Sequence, residues 1–264
     1  MDPQELLEKL DSPLVSQFLF HPRPQYPSPA PPSGQDMTIP ANDGVQLGAR
    51  IYLADKDSHN ILFFHGNGEI AADYEDIGPI YTSLGISFLV VDYRGYGKSQ
   101  GSPSVSSMLA DAQTVFDHVW SWLQREGRTK SLWIMGRSLG SASALEIAAS
   151  RQPEINGVII ESGFAQVVPL LRTIGVNTMD MGLTREDDPV ANLAKMAVCK
   201  KPALVIHAEH DHIIPLSHGK NLHEACPAAV KHFFMVPGAD HNDIMYRAGR
   251  EYFTLIQSFL EQNS

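Results

Sequence analysis

Residues 134–148 read IMGRSLGSASALEIA, and this stretch decides the fold. It passes from an apolar run through GRSLG (136–140) into a segment of small residues with helical spacing. A Gly-x-Ser-x-Gly turn between a strand and a helix presents its serine hydroxyl at the carboxyl end of the strand. A pentapeptide this short also arises by chance, so its meaning depends on the segments around it.

Short apolar runs rich in Val, Ile and Phe alternate with segments of helical period on both sides of this stretch. The alternation predicts an α/β fold with a mainly parallel central sheet of about eight strands, flanked by crossover helices. The predicted strands cover residues 47–54, 60–65, 87–92, 131–136, 157–161, 203–208 and 232–236. Helices are predicted after the cap Ser104 as far as Gly127, and over residues 71–84, 139–151, 216–225 and 243–262.

The N-terminal part of the chain differs in composition from the rest. Residues 21–36 hold six prolines, which lack a backbone donor and favour extended conformations over helix or central strand. We therefore predict an N-terminal segment with a proline-rich arm over residues 1–36. With 264 residues and 43% hydrophobic composition, the chain can bury a core in one domain, predicted over residues 37–264.

Three residue types needed for acyl transfer follow predicted strands, in the order Ser138, Asp211, His241. In a parallel sheet the carboxyl ends of the strands meet at one edge, so these side chains can converge. A serine hydroxyl is a weak nucleophile at neutral pH. It needs an imidazole to take its proton and a carboxylate to hold the ring in one tautomer. We predict these three residues as the catalytic group.

Five motifs occur in a fixed order around these residues: FFHGNG (63–68), VVDYRGYGKSQG (90–101), IMGRSLGSASALEIA (134–148), PALVIHAEHDHIIP (202–215) and VPGADHND (236–243). With them the chain resembles serine hydrolases of the α/β-hydrolase fold. It is most similar to the small-lid branch that includes protein depalmitoylases and uncharacterised bacterial esterase-like homologues. The order serine, acid, histidine is the one described for that fold. The resemblance extends over roughly residues 45 to 260 of this sequence.

The resemblance implies an activity and further site residues. The expected reaction is cleavage of carboxylic esters or thioesters of small to medium acyl groups through an acyl-enzyme, without a cofactor. The backbone N–H groups of Asn67 and Leu139 would form the oxyanion hole. The alternatives are a peptidase or acyl-protein thioesterase and, from another class, a ligand-binding module without turnover. Glu161 competes with Asp211 as the acid, because some relatives place the acid after the preceding strand.

Residues 165–201 separate two predicted strands by more than a single crossover helix needs, so they are predicted as a short lid insertion. Two interpretations of its apolar side chains remain open: packing onto the body, or lining an acyl pocket. Met179, Met181 and Leu183, together with Ile213 from the acid loop, are the predicted pocket residues. The other apolar side chains of the insertion are Val167, Val168, Leu170, Leu171 and Ile174.

The composition limits which kinds of partner the chain is expected to bind. The formal net charge is -10, with no long basic run, so we expect no nucleic-acid partner. The resemblance implies a small-molecule ester or thioester substrate. The group His207, His210 and His212 raises the question of a metal-binding site. Alternating side chains at a strand end point to opposite faces, however, and no cysteine or acid completes a familiar spacing, so no metal is expected.

Cellular location is also predicted from the sequence. No run of 18 apolar residues occurs, and the first twenty residues carry acids where a secretory signal would be basic. The cysteine cluster that anchors depalmitoylases is absent. We expect a cytoplasmic chain without a membrane anchor; the sequence does not determine its oligomeric state.

Overall fold

The computed structural model describes residues 3–26, 29–184 and 187–264. Residues 1–2 and 27–28 of the predicted N-terminal segment and arm, and residues 185–186 of the predicted insertion, lie outside the described residues. The described part forms one sheet of eight strands with the order β1-β2-β4-β3-β5-β6-β7-β8. The strands are β1 Gln35–Pro40, β2 Gln46–Tyr52, β3 His59–Phe64, β4 Ile86–Val91, β5 Leu132–Arg137, β6 Gly157–Glu161, β7 Ala203–Ala208 and β8 Lys231–Val236.

Strand direction follows the prediction of a mainly parallel sheet. The β1–β2 and β2–β4 pairs are antiparallel, and every other neighbouring pair of this sheet is parallel. Strands β3 to β7 are buried along their whole length, as apolar strands covered by helices on both faces should be. The predicted fold class is confirmed.

Helices cover both faces of the sheet. They are α1 Pro3–Leu10, α2 Pro13–Leu19, α3 Gly78–Ser83, α4 Val105–Glu126, α5 Ser141–Ser150, α6 Val167–Thr173, α7 Asn192–Val198, α8 Leu216–Ala225, α9 Ile244–Ala248 and α10 Arg250–Gln262. Helix α4 begins where the Ser104 hydroxyl accepts a hydrogen bond from the Ser107 N–H at 3.1 Å. It ends at Gly127, whose positive φ of 68° turns the chain out of the helix.

Two predicted helices are divided. Over residues 71–84 the chain forms a 3-10 turn, Ala71–Tyr74, and then the separate helix α3. The break precedes Pro79, which lies in the first turn of α3 and has no backbone N–H to bond the carbonyl of Glu75, so the helix cannot continue back through it. Over residues 243–262 the chain forms α9 and α10, separated by Gly249 with φ of 53°. Continuous helices were therefore wrong at both places, because a proline and a left-handed glycine interrupt the helical period.

The N-terminal segment contributes to the main core. Helices α1 and α2 bury Leu6, Leu10, Val15 and Leu19 in the same apolar cluster as the inner face of the sheet. Strand β1 begins at Gln35, two residues before the predicted start of the domain, and pairs with β2 at the edge of the sheet. Neither α1 and α2 nor β1 was among the predicted elements.

Candidate active site

Ser138 lies in a strained turn between β5 and α5. Its φ of 51° is in the left-handed region, which a non-glycine residue adopts only when its surroundings enforce it. The flanking glycines are required by close packing. A Cβ on Gly140 would lie 2.1 Å from the carbonyl oxygen of Phe64, and one on Gly136 would lie 2.3 Å from that of Gly140. The GRSLG sequence therefore folds into the tight turn that presents the serine hydroxyl.

Two loops at neighbouring strand ends bring His241 and Asp211 to this serine. The Ser138 Oγ lies 2.9 Å from His241 Nε2, and His241 Nδ1 lies 2.8 Å from Asp211 Oδ2. All three residues are more than 90% buried. These distances allow the hydroxyl to donate to Nε2 and the Nδ1–H to donate to the carboxylate, which is the arrangement of a serine–histidine–acid relay.

Asp211 is held in place by its own loop. Its Oδ1 accepts hydrogen bonds from the backbone N–H groups of Ile213 (3.1 Å) and Ile214 (2.7 Å). Burial opposes ionisation of this carboxyl, but the hydrogen bond from His241 and the backbone donors hold its pKa below its ordinary value. The carboxylate form, which can orient the imidazole, is therefore favoured at neutral pH.

Glu161, the competing acid, is engaged elsewhere. Its Oε1 accepts a hydrogen bond from Arg137 Nε at 3.0 Å, and its Oε2 accepts one from the Tyr252 hydroxyl. Complete burial raises its pKa. Asp211, rather than Glu161, is the carboxylate that contacts the ring of His241.

The two residues predicted for the oxyanion hole line the same cavity as Ser138. Leu139 follows it in the turn before α5, and Asn67 lies in the loop after β3. The Asn67 side chain is well anchored: its Oδ1 accepts from the His21 N–H (2.9 Å) and the Tyr96 hydroxyl (2.7 Å), and its Nδ2 lies 2.7 Å from His21 Nδ1. The N-terminal segment thus contacts the loop that carries Asn67.

The three histidines considered as metal ligands have separate environments. His207 is buried, and its Nε2 lies 2.8 Å from the carbonyl oxygen of Ile214. His210 and His212 are exposed, and His212 Nδ1 pairs with Asp240. Among residues 3–26, 29–184 and 187–264, no group of three or more His, Cys, Asp or Glu side chains is arranged to hold a metal ion.

A cavity of about 350 Å³ opens above the Ser138 hydroxyl. Its lining combines apolar side chains with polar and charged ones. The lining residues are Phe18, Leu19, His21, Asn67, Arg137, Ser138, Leu139, Leu170, Ile174, Ile213, His241 and Asn242. Of the four residues predicted for the pocket, Ile213 lies in this lining.

The other three predicted pocket residues lie elsewhere, and the prediction requires correction. Met179 is 80% exposed, Leu183 is buried in the core, and Met181 is partly buried against that core. The path of the insertion explains this difference. It brings Leu170 of α6 and Ile174, the residue after α6, to the cavity, and residues 179–183 lie outside the lining. Within the insertion, Leu170 and Ile174 line the cavity, whereas Val167, Val168 and Leu171 pack into the core.

Phe18, Leu19 and His21 are site residues that the sequence did not reveal. They reach the cavity because α2 packs against α6. The Phe18 ring also lies close to Gly175, just after α6, where an added Cβ would be 3.7 Å from the ring. The available signal was the apolar run FLF at residues 18–20, directly before the proline-rich stretch.

A family model and several known proteins are similar to this chain. The family model described as "Serine aminopeptidase, S33" matches residues 55–185. The chain is 30% identical over 234 residues to "Uncharacterized membrane protein YNL320W" of Saccharomyces cerevisiae, covering 86% of this chain and 79% of that protein. It is 32% identical over 216 residues to "Alpha/beta hydrolase domain-containing protein 17C" of Mus musculus, covering 80% of this chain and 62% of that protein.

These matches define the class: the chain belongs to the α/β-hydrolase family. Its relatives include the domain-containing protein 17C named above and "Protein bem46" of Schizosaccharomyces pombe. Solved structures show the same fold. The esterase Pf2001 of Pyrococcus furiosus superposes with a TM-score of 0.73 at 18% identity, over 92% of this chain and 99% of that one. A soluble variant of the monoglyceride lipase of Saccharomyces cerevisiae gives 0.68 at 17% identity, over 90% and 98%. No helix in the described ranges has the length and apolar character needed to cross a membrane.

Proposed function

We propose that this chain is a serine hydrolase that cleaves carboxylic ester or thioester bonds of small to medium acyl substrates. One observation carries the proposal: Ser138 Oγ, the two ring nitrogens of His241 and the Asp211 carboxylate form a continuous buried chain of hydrogen bonds. Membership of a hydrolase family supports it.

The proposed mechanism has two steps. Ser138 Oγ attacks the substrate carbonyl carbon while its proton passes to His241 Nε2, and the resulting imidazolium is stabilised by Asp211. The backbone N–H groups of Asn67 and Leu139 bind the oxyanion. His241 then protonates the leaving alcohol or thiol. In the second step His241 takes a proton from water while the water oxygen attacks the carbonyl carbon of the acyl-serine. The bond from that carbon to Ser138 Oγ then breaks, His241 returns the proton to Ser138 Oγ, and the acid product leaves.

The cavity supports acyl substrates of limited size. Phe18, Leu19, Leu170 and Ile174 offer an apolar wall for the acyl chain, and a volume of about 350 Å³ is at the low end for small-molecule pockets. We expect a preference for short to medium acyl chains. A series of p-nitrophenyl esters and acyl thioesters of increasing length tests this; rates that rise steadily to the longest chain would contradict it.

The alternative of an aminopeptidase arises from the description of the matching family model. An aminopeptidase must bind the α-ammonium group of its substrate, for which a carboxylate in the cavity is the usual partner. The described residues that line this cavity include no aspartate or glutamate. This favours ester cleavage, and hydrolysis of amino acid p-nitroanilides faster than of p-nitrophenyl esters would reverse the choice.

We also propose that the protein acts in the cytoplasm, because Cys199 and Cys226 are buried free thiols, as is usual in a reducing compartment. The name of the yeast relative makes membrane association the outcome to test. Fractionation of cells that express the chain should place it in the high-speed supernatant; recovery in the membrane pellet would contradict the proposal.

Labelling with a fluorophosphonate probe tests whether the serine is reactive. Wild type should gain one probe per chain, and Ser138→Ala should gain none, while Ser141→Ala, a nearby buried serine, should label like wild type. An unlabelled wild type, or equal labelling of Ser138→Ala, would overturn the proposal.

A further inference from the structure

Arg137, the residue before the serine, is a buried cation whose contacts reach two loops and one strand end around the site. The residue is 6% exposed. Its Nε donates to Glu161 Oε1 at 3.0 Å, its Nη1 pairs with Glu69, and its Nη2 donates to the carbonyl oxygen of His241 at 2.9 Å. One guanidinium thus joins the end of β6, the loop after β3 and the loop that carries the catalytic base.

Glu69 extends this connection to the proposed oxyanion hole. Its Oε2 accepts a hydrogen bond from the backbone N–H of Gly66 at 2.8 Å and another from the Tyr74 hydroxyl at 2.6 Å. Gly66 directly precedes Asn67, the proposed oxyanion donor. The Arg137–Glu69 pair therefore links the backbone of the oxyanion loop to the backbone of His241.

The chemistry of arginine suits this arrangement. Its planar guanidinium presents several N–H donors in fixed directions, so it can bind a carboxylate on each side and a carbonyl at once. A lysine keeps the charge but has a single nitrogen, which cannot reproduce three divergent bonds. The guanidinium also packs directly against the backbone of Gly66, where a Cβ would lie 2.5 Å from Arg137 Nη1.

We propose that Arg137 is a positioning residue, which fixes the distance between the imidazole of His241 and the oxyanion loop on either side of Ser138. The inference rests on the proposed hydrolase function. A displacement of catalytic groups by about 1 Å can lower turnover by about 100-fold, because the reacting atoms leave the productive geometry. Arg137 does not itself touch the reacting atoms in this role, so it should affect kcat more than KM.

The test compares Arg137→Lys with Arg94→Lys in the full chain. Arg94 is the matched control, because it also binds two carboxylates, Asp43 and Asp111, on a different part of the molecule. With a short p-nitrophenyl ester, Arg137→Lys should lower kcat about 10-fold to 100-fold and change KM by less than about threefold. Arg94→Lys should leave both constants within about twofold of wild type.

The possible outcomes separate the two proposals. A wild type without ester turnover or probe labelling overturns the hydrolase function and this inference together. An active wild type with Arg137→Lys within twofold of its kcat, or with an equal loss in Arg94→Lys, overturns the positioning role alone. A loss that appears in KM rather than kcat also overturns it, because that would indicate a substrate ligand.

A second variant covers the case in which Arg137→Lys does not fold. Glu69→Gln keeps the size of the side chain and removes the charge that binds Arg137 and Gly66. Its kcat should fall in the same direction, by at least about fivefold, with an unchanged KM. A Glu69→Gln enzyme with wild-type kcat would overturn the link between Arg137 and the oxyanion loop.

Discussion

Two parts of the site are built in different ways. The floor, defined here as Ser138, Asp211 and His241 with their loops, consists of buried side chains joined by hydrogen bonds at the ends of sheet strands. The wall, defined as Phe18, Leu19, Leu170 and Ile174, comes from two seven-residue helices, α2 and α6, and from the residue after α6. Its contacts are apolar, and Phe18 remains 37% exposed.

Because of this difference, substitutions in the floor and in the wall should have different effects. Directional bonds fix the floor, so a small alteration there should abolish the proposed chemistry while substrate binding persists. Apolar packing is non-directional, so alterations in the wall should change which acyl chains bind and leave the chemistry intact. The predictions below test this separation, beginning with the largest effect.

The largest effect is expected for Asp211→Asn in the floor. The amide cannot stabilise an imidazolium and favours the wrong tautomer of His241. We expect kcat for a short ester to fall on the order of 10⁴-fold, as for the acid of other serine–histidine–acid groups, with KM little changed. Steady-state kinetics on p-nitrophenyl acetate measures this. Asp240→Asn serves as the control, since Asp240 contacts the His241 backbone rather than its ring; an equal loss there would contradict the assignment of the acid.

A smaller effect is expected for Phe18→Ala in the wall. Removing a partly buried phenyl ring should lower kcat/KM for medium acyl chains by about tenfold, because apolar contact of about 1.4 kcal/mol is lost. The value for the acetyl ester should remain within about twofold. Leu14→Ala is the matched control, because Leu14 is on the same helix but 50% exposed and outside the cavity lining. Parallel loss for acetyl and medium chains would show that floor and wall are not separable.

Asn67 joins the two parts, so Asn67→Ala should give an intermediate result. The backbone N–H that is proposed to bind the oxyanion remains, but two accepted hydrogen bonds that anchor it to His21 and Tyr96 are lost. At about 1 kcal/mol for each hydrogen bond, the two lost bonds amount to about 2 kcal/mol, so kcat should fall by up to about 30-fold for acetyl and medium chains alike. A fall of more than about 100-fold would mean that the side chain itself contacts the reacting atoms.

The smallest effect is expected on stability and comes from His207, a buried residue of β7. Burial lowers the pKa of this imidazole, and its Nδ1 has no hydrogen-bond partner among the described residues. Below about pH 6.5 the unfolded chain binds a proton that the folded chain does not, so the free energy of unfolding falls as pH decreases. Between pH 7.5 and 5.5 His207 should account for up to about 1 kcal/mol of this loss.

Urea unfolding at these two pH values measures the contribution. His207→Gln should reduce the pH-dependent loss relative to wild type, whereas the exposed His232→Gln should not. An unchanged pH dependence in His207→Gln would show that the buried imidazole takes up a proton without penalty.

The same contrast explains how much the sequence could predict. The strands from β3 to β7 were identifiable because each is an apolar run with both faces covered. The residues of the floor could then be predicted, since they come directly after strands. Strand β1 was missed because it is an edge strand in which half of the residues are polar and most are exposed. Its pairing depends on β2 rather than on its own composition.

The wall and the Arg137 contacts could not be predicted for a related reason. Phe18 reaches the cavity through the packing of α2 on α6, more than 140 positions later in the chain, and no local pattern encodes that contact. Met179 and Leu183 are apolar, as pocket residues often are, but the path of the insertion decides which of its apolar residues line the cavity. Likewise, the spacing of Arg137, Glu69 and Glu161 in the sequence gives no sign that the three side chains meet.

The central claim is that Ser138 is a nucleophile activated by His241, and intact-protein mass spectrometry after fluorophosphonate treatment tests it most directly. Wild type should gain the mass of one probe within minutes at neutral pH, Ser138→Ala should gain none, and Asp211→Asn should label more slowly by orders of magnitude. Labelling of Ser138→Ala at the wild-type rate, or the absence of labelling in folded wild type, would contradict the account.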